Sequence, residues 1–167
     1  MKNLILEILN LCEINKSRTL KSSSEDAIKI KENLKNLNSI LVAKISLDEK
    51  KYSTHISLGF GYFPKIPWLG ITKKNQKVSA HNSICICFSS RGEGIVAGAM
   101  SPFPIKSGEL TTVFRNKQTE KFISLKGGNN ETTYNSKFFN PLDFFMESFE
   151  EAELIKHIKD SFKFLNS

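Results

Sequence analysis

His55-Ile-Ser-Leu-Gly-Phe60 alternates polar and apolar residues, which is the period of a β-strand with one buried face. Three further short apolar runs follow it, at 68–72, 83–89 and 94–100, separated by turn-forming residues. The run at 83–89 is apolar on both faces, as in a central strand that is covered on both sides. The centre of the chain therefore predicts a curved, mostly antiparallel sheet of four to five strands.

Helical periods lie on both sides of this centre. Residues 3–15 repeat apolar side chains every three or four positions, and Ser24 is placed to cap a second helix that runs to about residue 37. Asn140 is placed to cap the clearest amphipathic helix, at 141–165. The sequence predicts one α+β domain, 1–167, whose sheet is flanked by N- and C-terminal helices. Less distinct patterns suggest a strand at 40–47, a helix at 108–122 and an exposed loop at 126–137.

The chain of 167 residues is basic, with 24 Lys and Arg against 17 Asp and Glu and a net charge of +7. Such a charge suits nucleic acid first and an acidic membrane surface second, although a compositionally biased genome gives the same excess. The sequence contains no apolar run long enough to span a membrane and no signal-peptide cleavage site, so we expect a cytoplasmic protein with no membrane partner.

The sequence shows no catalytic motif and no metal-ligand spacing. An odd number of cysteines argues against a disulfide framework, and zinc would need more ligands, so buried structural thiols are expected. The cysteines are Cys12, Cys85 and Cys87, and the histidines are His55, His81 and His157. His81, in a polar loop, could contact a ligand, and His157 is expected on the polar side of the last helix. We therefore expect a binding module with no enzyme activity and no cofactor.

Aromatic and basic residues are concentrated in the segment 56–71. Tyr62, Phe63 and Lys65 precede Trp68, the single tryptophan, across a loop with two prolines. Aromatics beside lysines on an exposed loop can stack on bases or wedge between them. Alternatively, Trp68 and Phe63 are core residues at strand ends.

The same segment resembles the N-terminal DNA-binding domain of McrB, the GTP-dependent subunit of McrBC-type restriction systems. The resemblance covers 56–100, through Phe60-Gly61-Tyr62, Ile66-Pro67-Trp68-Leu69-Gly70-Ile71, and the strands expected within 79–88 and 94–100. It implies a module of a larger GTPase restriction subunit, whose partners are double-stranded DNA carrying a modified base, a GTPase motor and a McrC-type nuclease subunit.

The resemblance also implies a mechanism, in which a modified cytosine of the 5-methylcytosine type is flipped out of the duplex into a protein pocket. Tyr62 then occupies the position of the side chain that fills the gap in the duplex. Trp68 and Phe88 occupy positions that line the pocket, and Ile84 lies near its mouth. A further aromatic from the C-terminal half has two candidates, Phe122 and Tyr134.

Lysines flank the candidate strand and could neutralise phosphates without reading sequence. They are Lys65, Lys73, Lys74 and Lys77. We expect them on the same side of the domain as Tyr62. The competing hypotheses are a protein-interaction module with incidental charge and a domain that binds nucleic acid non-specifically.

Overall fold

The fold was analysed in a computed structural model, which describes residues 1–59, 61–64, 66–76, 82–89, 91–100, 138 and 140–165. The described helices are α1 (Lys2–Ile14), α2 (Glu25–Ile45) and α3 (Glu151–Leu165), with a short 3-10 helix at Met146–Ser148. The described strands are β1 (Tyr52–Ile56), β2 (Trp68–Lys73), β3 (Ser83–Phe88), β4 (Gly94–Ala99) and β5 (Leu142–Phe145). The helix expected at 108–122 and the loop at 126–137 lie outside the described residues.

The five strands form one sheet in sequence order, and every neighbouring pair is antiparallel. The predicted α+β class, with an antiparallel sheet between N- and C-terminal helices, is confirmed. The connections from β1 through β4 are short and favour this order, because antiparallel neighbours need no crossover, whereas β5 pairs with β4 from a distant part of the sequence.

The two faces of the sheet enter different hydrophobic clusters. Alternate residues of the inner strands, such as Leu69 and Ile86, pack with α1, α2 and α3 in the main core, and we call this side the helix face. The residues between them, such as Cys87 and Val96, point to the opposite face and join a smaller cluster with Ile66. This alternation is the ordinary pleat of a β-strand, and it decides which predicted site residues can meet.

Helix α2 begins where the sequence predicts and ends later. The hydroxyl of Ser24 accepts a hydrogen bond from the backbone N–H of Ala27 at 3.4 Å, so the predicted cap is confirmed. The strand predicted at 40–47 is wrong, because the helix continues to Ile45. Leu41 and Ile45 are buried and continue the helical spacing of the preceding apolar residues. The period of residues 40–47 fits either a strand or a helix, and packing against the core favours the helix.

The C-terminal helix starts ten residues later than predicted. Residues 142–145 pair with β4 as β5, and α3 begins at Glu151. Asn140 does not cap a helix: its Oδ1 accepts the backbone N–H of Ala99 at 2.6 Å, and its Nδ2 donates to the Ser161 hydroxyl at 3.0 Å. The chain at 140–145 therefore forms the edge of the sheet.

His157 is half-buried against this edge instead of lying on a solvated helix side. Its Nε2 lies 3.0 Å from the Ala97 carbonyl oxygen and 2.9 Å from that of Asn140. Burial lowers the pKa of His157, although the two backbone carbonyls oppose the shift. The neutral ring with a proton on Nε2 satisfies both carbonyl groups.

Candidate nucleic-acid interface

Residues 61–63 of the loop between β1 and β2 are held against the 15–24 segment between α1 and α2. The backbone N–H of Phe63 donates to the Leu20 carbonyl at 2.7 Å, and that of Ser22 donates to the Gly61 carbonyl at 3.0 Å. These two bonds flank an antiparallel bridge between Lys21 and Tyr62. We call this region, where the two segments meet, the loop end of the domain.

Gly59 permits the close approach of the two segments. Its φ is +71°, a region that disfavours side chains. A Cβ at this position would lie 2.6 Å from the Ser22 hydroxyl and 2.7 Å from the Tyr62 carbonyl oxygen. Gly61 has a similar φ of +69° but nothing within 4 Å of its Cβ position. Gly59 is therefore required by space as well as by conformation.

Neighbouring residues of the loop point in opposite directions. Phe63 is buried in the main core, and the Lys31 ammonium lies 5.7 Å from the centre of its ring. Tyr62 is 60% exposed, and Leu58 is 55% exposed. The hydrogen bonds and the buried Phe63 fix the backbone on both sides of Tyr62, so the exposed ring projects from a stretch of backbone that is held in place.

The 15–24 segment that contacts the loop carries several cations, and some of them are paired. Arg18 contacts Asp26 at 3.1 Å, and Lys16 lies 3.8 Å from Glu13. Lys21 is exposed and is the bridge partner of Tyr62. Lys21 is therefore the cation that the backbone places directly beside the exposed aromatic residue.

A shallow cleft lies next to the loop, between it and the C-terminal half of α1. Its volume is about 320 Å³, including the solvent at its mouth. Apolar groups from Leu11, Leu20 and Phe63 line it together with two prolines, and Lys16 and Arg18 also contribute to its wall. The cleft adds apolar surface bordered by positive charge.

The structure does not bring the three predicted pocket residues together. Trp68 is half-buried on the opposite face, where it packs with the cluster of Cys85 and Cys87. Phe88 and Ile84 point to the helix face and are fully buried in the main core. The expectation that Trp68 and Phe88 line one cavity is wrong: β2 and β3 are neighbours, but Trp68 pairs with Cys87, so Phe88 projects from the other side of the sheet.

The predicted phosphate contacts are also separated. Lys73 and Lys74 lie at the end of β2 that is remote from Trp68 and the loop, so they do not cluster around Tyr62. The other predicted lysines, Lys65 and Lys77, lie outside the described residues. The same holds for His81, Phe122 and Tyr134.

Positive charge is unevenly distributed along the sequence. Eight of the 24 basic residues and three of the 17 acidic residues lie outside the described residues. The described part carries 16 basic and 14 acidic side chains and is close to neutral. Local arrangement, more than net charge, must therefore indicate an interface within it.

The sequence alone does not single out Lys21 as a candidate site residue. Its neighbourhood, SRTLKSSS, is typical of a polar loop, and nothing local links it to Tyr62 some forty residues later. The only sequence signal is that both segments connect regular elements and contain small or polar residues. Their contact depends on how α2 packs on the sheet.

The buried thiols agree with the structural role expected for them. Cys12, Cys85 and Cys87 are free and buried. Burial raises the pKa of Cys12 to about 12 and that of Cys85 to about 11. Within the described ranges, no group of His, Cys, Asp or Glu side chains is arranged to hold a metal ion. None of the described helices has the length and apolarity to cross a bilayer.

Comparison with known proteins gave no matching family model, no similar curated protein and no similar solved structure.

Proposed function

We propose that this chain is a DNA-binding domain whose loop end contacts the duplex through Tyr62 and Lys21. The observation that carries the proposal is the 60% exposed ring of Tyr62 on a loop fixed by two backbone hydrogen bonds and a buried neighbour. An exposed ring on an ordered backbone is suited to stacking on a base or filling a gap in a base stack. Less conformational entropy is lost on binding when the loop is already ordered.

The position of Lys21 also supports contact between the duplex and the loop end. Because Tyr62 and Lys21 are partners in a backbone bridge, a duplex that receives the ring also brings its phosphates near the Lys21 ammonium. Phosphate contacts fix position without reading sequence, and base contacts supply the specificity. The pair therefore combines the two kinds of contact that a DNA-binding surface needs.

Recognition of a modified cytosine is the specificity that we propose, on the strength of the McrB-type resemblance of residues 56–100. Trp68 is the remaining candidate for stacking on the modified base, because it is half-buried while Phe88 and Ile84 are enclosed in the core. As a module of a restriction system, the domain would act with a GTPase motor and a McrC-type nuclease.

The interface is tested by titrating a fluorescently labelled duplex and measuring anisotropy. Base stacking on an aromatic ring contributes about 1–3 kcal/mol, so Tyr62→Ala should weaken binding roughly five- to 150-fold. Tyr62→Phe retains the ring and should bind within about twofold of the parent. Ala152→Ser is the control, because Ala152 is exposed on α3 beside Glu151, which pairs with the N-terminal amine at the end of α1 opposite the cleft. Equal affinities for Tyr62→Ala and Ala152→Ser would contradict the proposal.

The specificity is tested separately, with one duplex sequence carrying cytosine, 5-methylcytosine, 5-hydroxymethylcytosine, 4-methylcytosine or 6-methyladenine. A methyl group in an apolar site contributes only about 1–3 kcal/mol, so we expect moderate preference for one cytosine modification. Equal binding to all five duplexes would leave a non-specific DNA-binding domain.

A protein-interaction module is the second candidate, and the exposed side chains of Leu58 and Tyr62 beside the apolar cleft favour it. Salt separates the two functions. Affinity for DNA falls with a slope of about −0.9 per neutralised phosphate in a plot of log K against log salt. Docking of an apolar protein segment lacks that dependence.

A further inference from the structure

A second basic surface lies at the other end of the β1–β2 hairpin. Lys73 pairs with Tyr52 in the sheet, and the backbone N–H of Lys74 donates to the Lys51 carbonyl at 2.6 Å. Lys50 precedes Lys51 in the turn that leads from α2 to β1. We call these four residues, Lys50, Lys51, Lys73 and Lys74, the turn end.

The local carboxylates neutralise this surface only in part. Asp48 lies 3.6 Å from the Lys51 ammonium, and its other oxygen accepts the backbone N–H of Lys50. The Lys74 ammonium donates to the backbone carbonyl of Glu49 instead of its carboxylate. Four lysines therefore face two acidic residues. Like charges on adjacent strands repel, and an anionic partner would relieve that repulsion.

The two basic ends lie along one edge of the domain. β1 is the edge strand of the described sheet, so the hairpin borders it from the loop end to the turn end. β2 spans six residues from Trp68 to Lys73, which corresponds to roughly 17 Å at about 3.3 Å per residue. B-DNA rises about 3.4 Å per base pair along its axis, so a duplex lying parallel to β2 would present roughly five base-pair steps over this length.

We propose that the turn end is a second contact for the same duplex, which then runs along the β1 edge from Tyr62 to the turn-end lysines. The inference rests on the proposed DNA binding and extends it, because it fixes the direction of the duplex on the domain. It adds Lys50 and Lys51 to the interface. Lys73 and Lys74 would then contact phosphates at a distance from the part of the duplex that Tyr62 contacts.

The test compares two variants of equal net charge. One carries Lys→Gln at all four turn-end positions. The control carries Lys→Gln at four exposed helix positions: Lys29, Lys35, Lys156 and Lys159. Binding to a labelled duplex is measured from 50 to 200 mM salt. Losing four phosphate contacts should make the slope of log K against log salt less steep by about 3.6. Between 50 and 200 mM salt, the fold-decrease in the affinity of the turn-end variant should therefore be roughly 150 times smaller than that of the parent. The control should retain the parent's slope.

A double variant, Lys50→Gln with Lys74→Gln, covers the case in which the fourfold variant does not fold, because both side chains are exposed. It should flatten the slope by about 1.8, or roughly tenfold in affinity over the same range. Turn-end variants that keep the parent's slope while Tyr62→Ala weakens binding would overturn the second contact and leave the proposed function standing. Absence of duplex binding by the parent protein would overturn both.

Discussion

Gly59→Ala tests whether the loop that presents Tyr62 depends on close packing. The φ of +71° makes any side chain strained by about 1–2 kcal/mol. In addition, the new Cβ would lie 2.6 Å from the Ser22 hydroxyl and 2.7 Å from the Tyr62 carbonyl oxygen, too close for either contact to persist. The loop must shift away from the 15–24 segment.

The shift would weaken the two hydrogen bonds between the segments, Phe63 N–H to Leu20 and Ser22 N–H to Gly61. At about 0.5–1.5 kcal/mol each, their loss adds roughly 1–3 kcal/mol. We therefore expect Gly59→Ala to lower the free energy of unfolding by about 2–5 kcal/mol. Gly61→Ala carries the backbone strain alone, so its expected cost is about 1–2 kcal/mol.

The assay is urea unfolding followed by Trp68 fluorescence, together with duplex binding by anisotropy for each folded variant. Gly59→Ala should also weaken DNA binding more than Gly61→Ala, because it displaces the ring without removing it. Equal unfolding free energies for the two variants would refute the argument from close approach. Unchanged DNA binding by a destabilised Gly59→Ala would separate the loop from the interface.

Three further predictions concern the rest of the domain. Asn140→Ala leaves the Ala99 N–H without its acceptor and should lower the free energy of unfolding by about 1–3 kcal/mol. Urea titration measures this loss, and an unchanged midpoint would show that the hydrogen bond does not stabilise the fold. Burial lowers the pKa of His157, so the unfolded state takes up protons first: stability should be full above pH 6.5 and decline as the pH falls towards the lowered pKa. His157→Gln, compared with the parent over that interval, should remove part of this decline. Cys12 and Cys85 should react with a thiol reagent at pH 8 only on unfolding, and rapid modification of the native protein would show that they are accessible.

Local sequence signals were sufficient where one pattern dominates. The Ser24 cap and the strands at 68–73, 83–88 and 94–99 follow from side-chain chemistry and period alone. The run at 40–47 is short and mostly apolar, so a strand and a buried helical turn give similar patterns. Burial of Leu41 and Ile45 in the core stabilises the helical conformation.

Non-local pairing accounts for the other differences. Asn140 and Pro141 resemble the start of a helix, but residues 142–145 complete the sheet by pairing with β4. The predicted pocket depends on the register between β2 and β3. A shift of one residue decides whether Trp68 shares a face of the sheet with Phe88 or with Cys87. Both strands are largely apolar on both faces, so their hydrophobic pattern does not fix this register.

Binding at the loop end is tested most directly by recording backbone amide NMR shifts while the protein is titrated with a short duplex. We expect the largest changes at Lys21, Ser22, Tyr62 and Phe63, which contribute to the bridge and its flanking hydrogen bonds. Smaller changes should follow along β1 towards the turn-end lysines. Shifts confined to α3, or no shifts at saturating duplex, would contradict it.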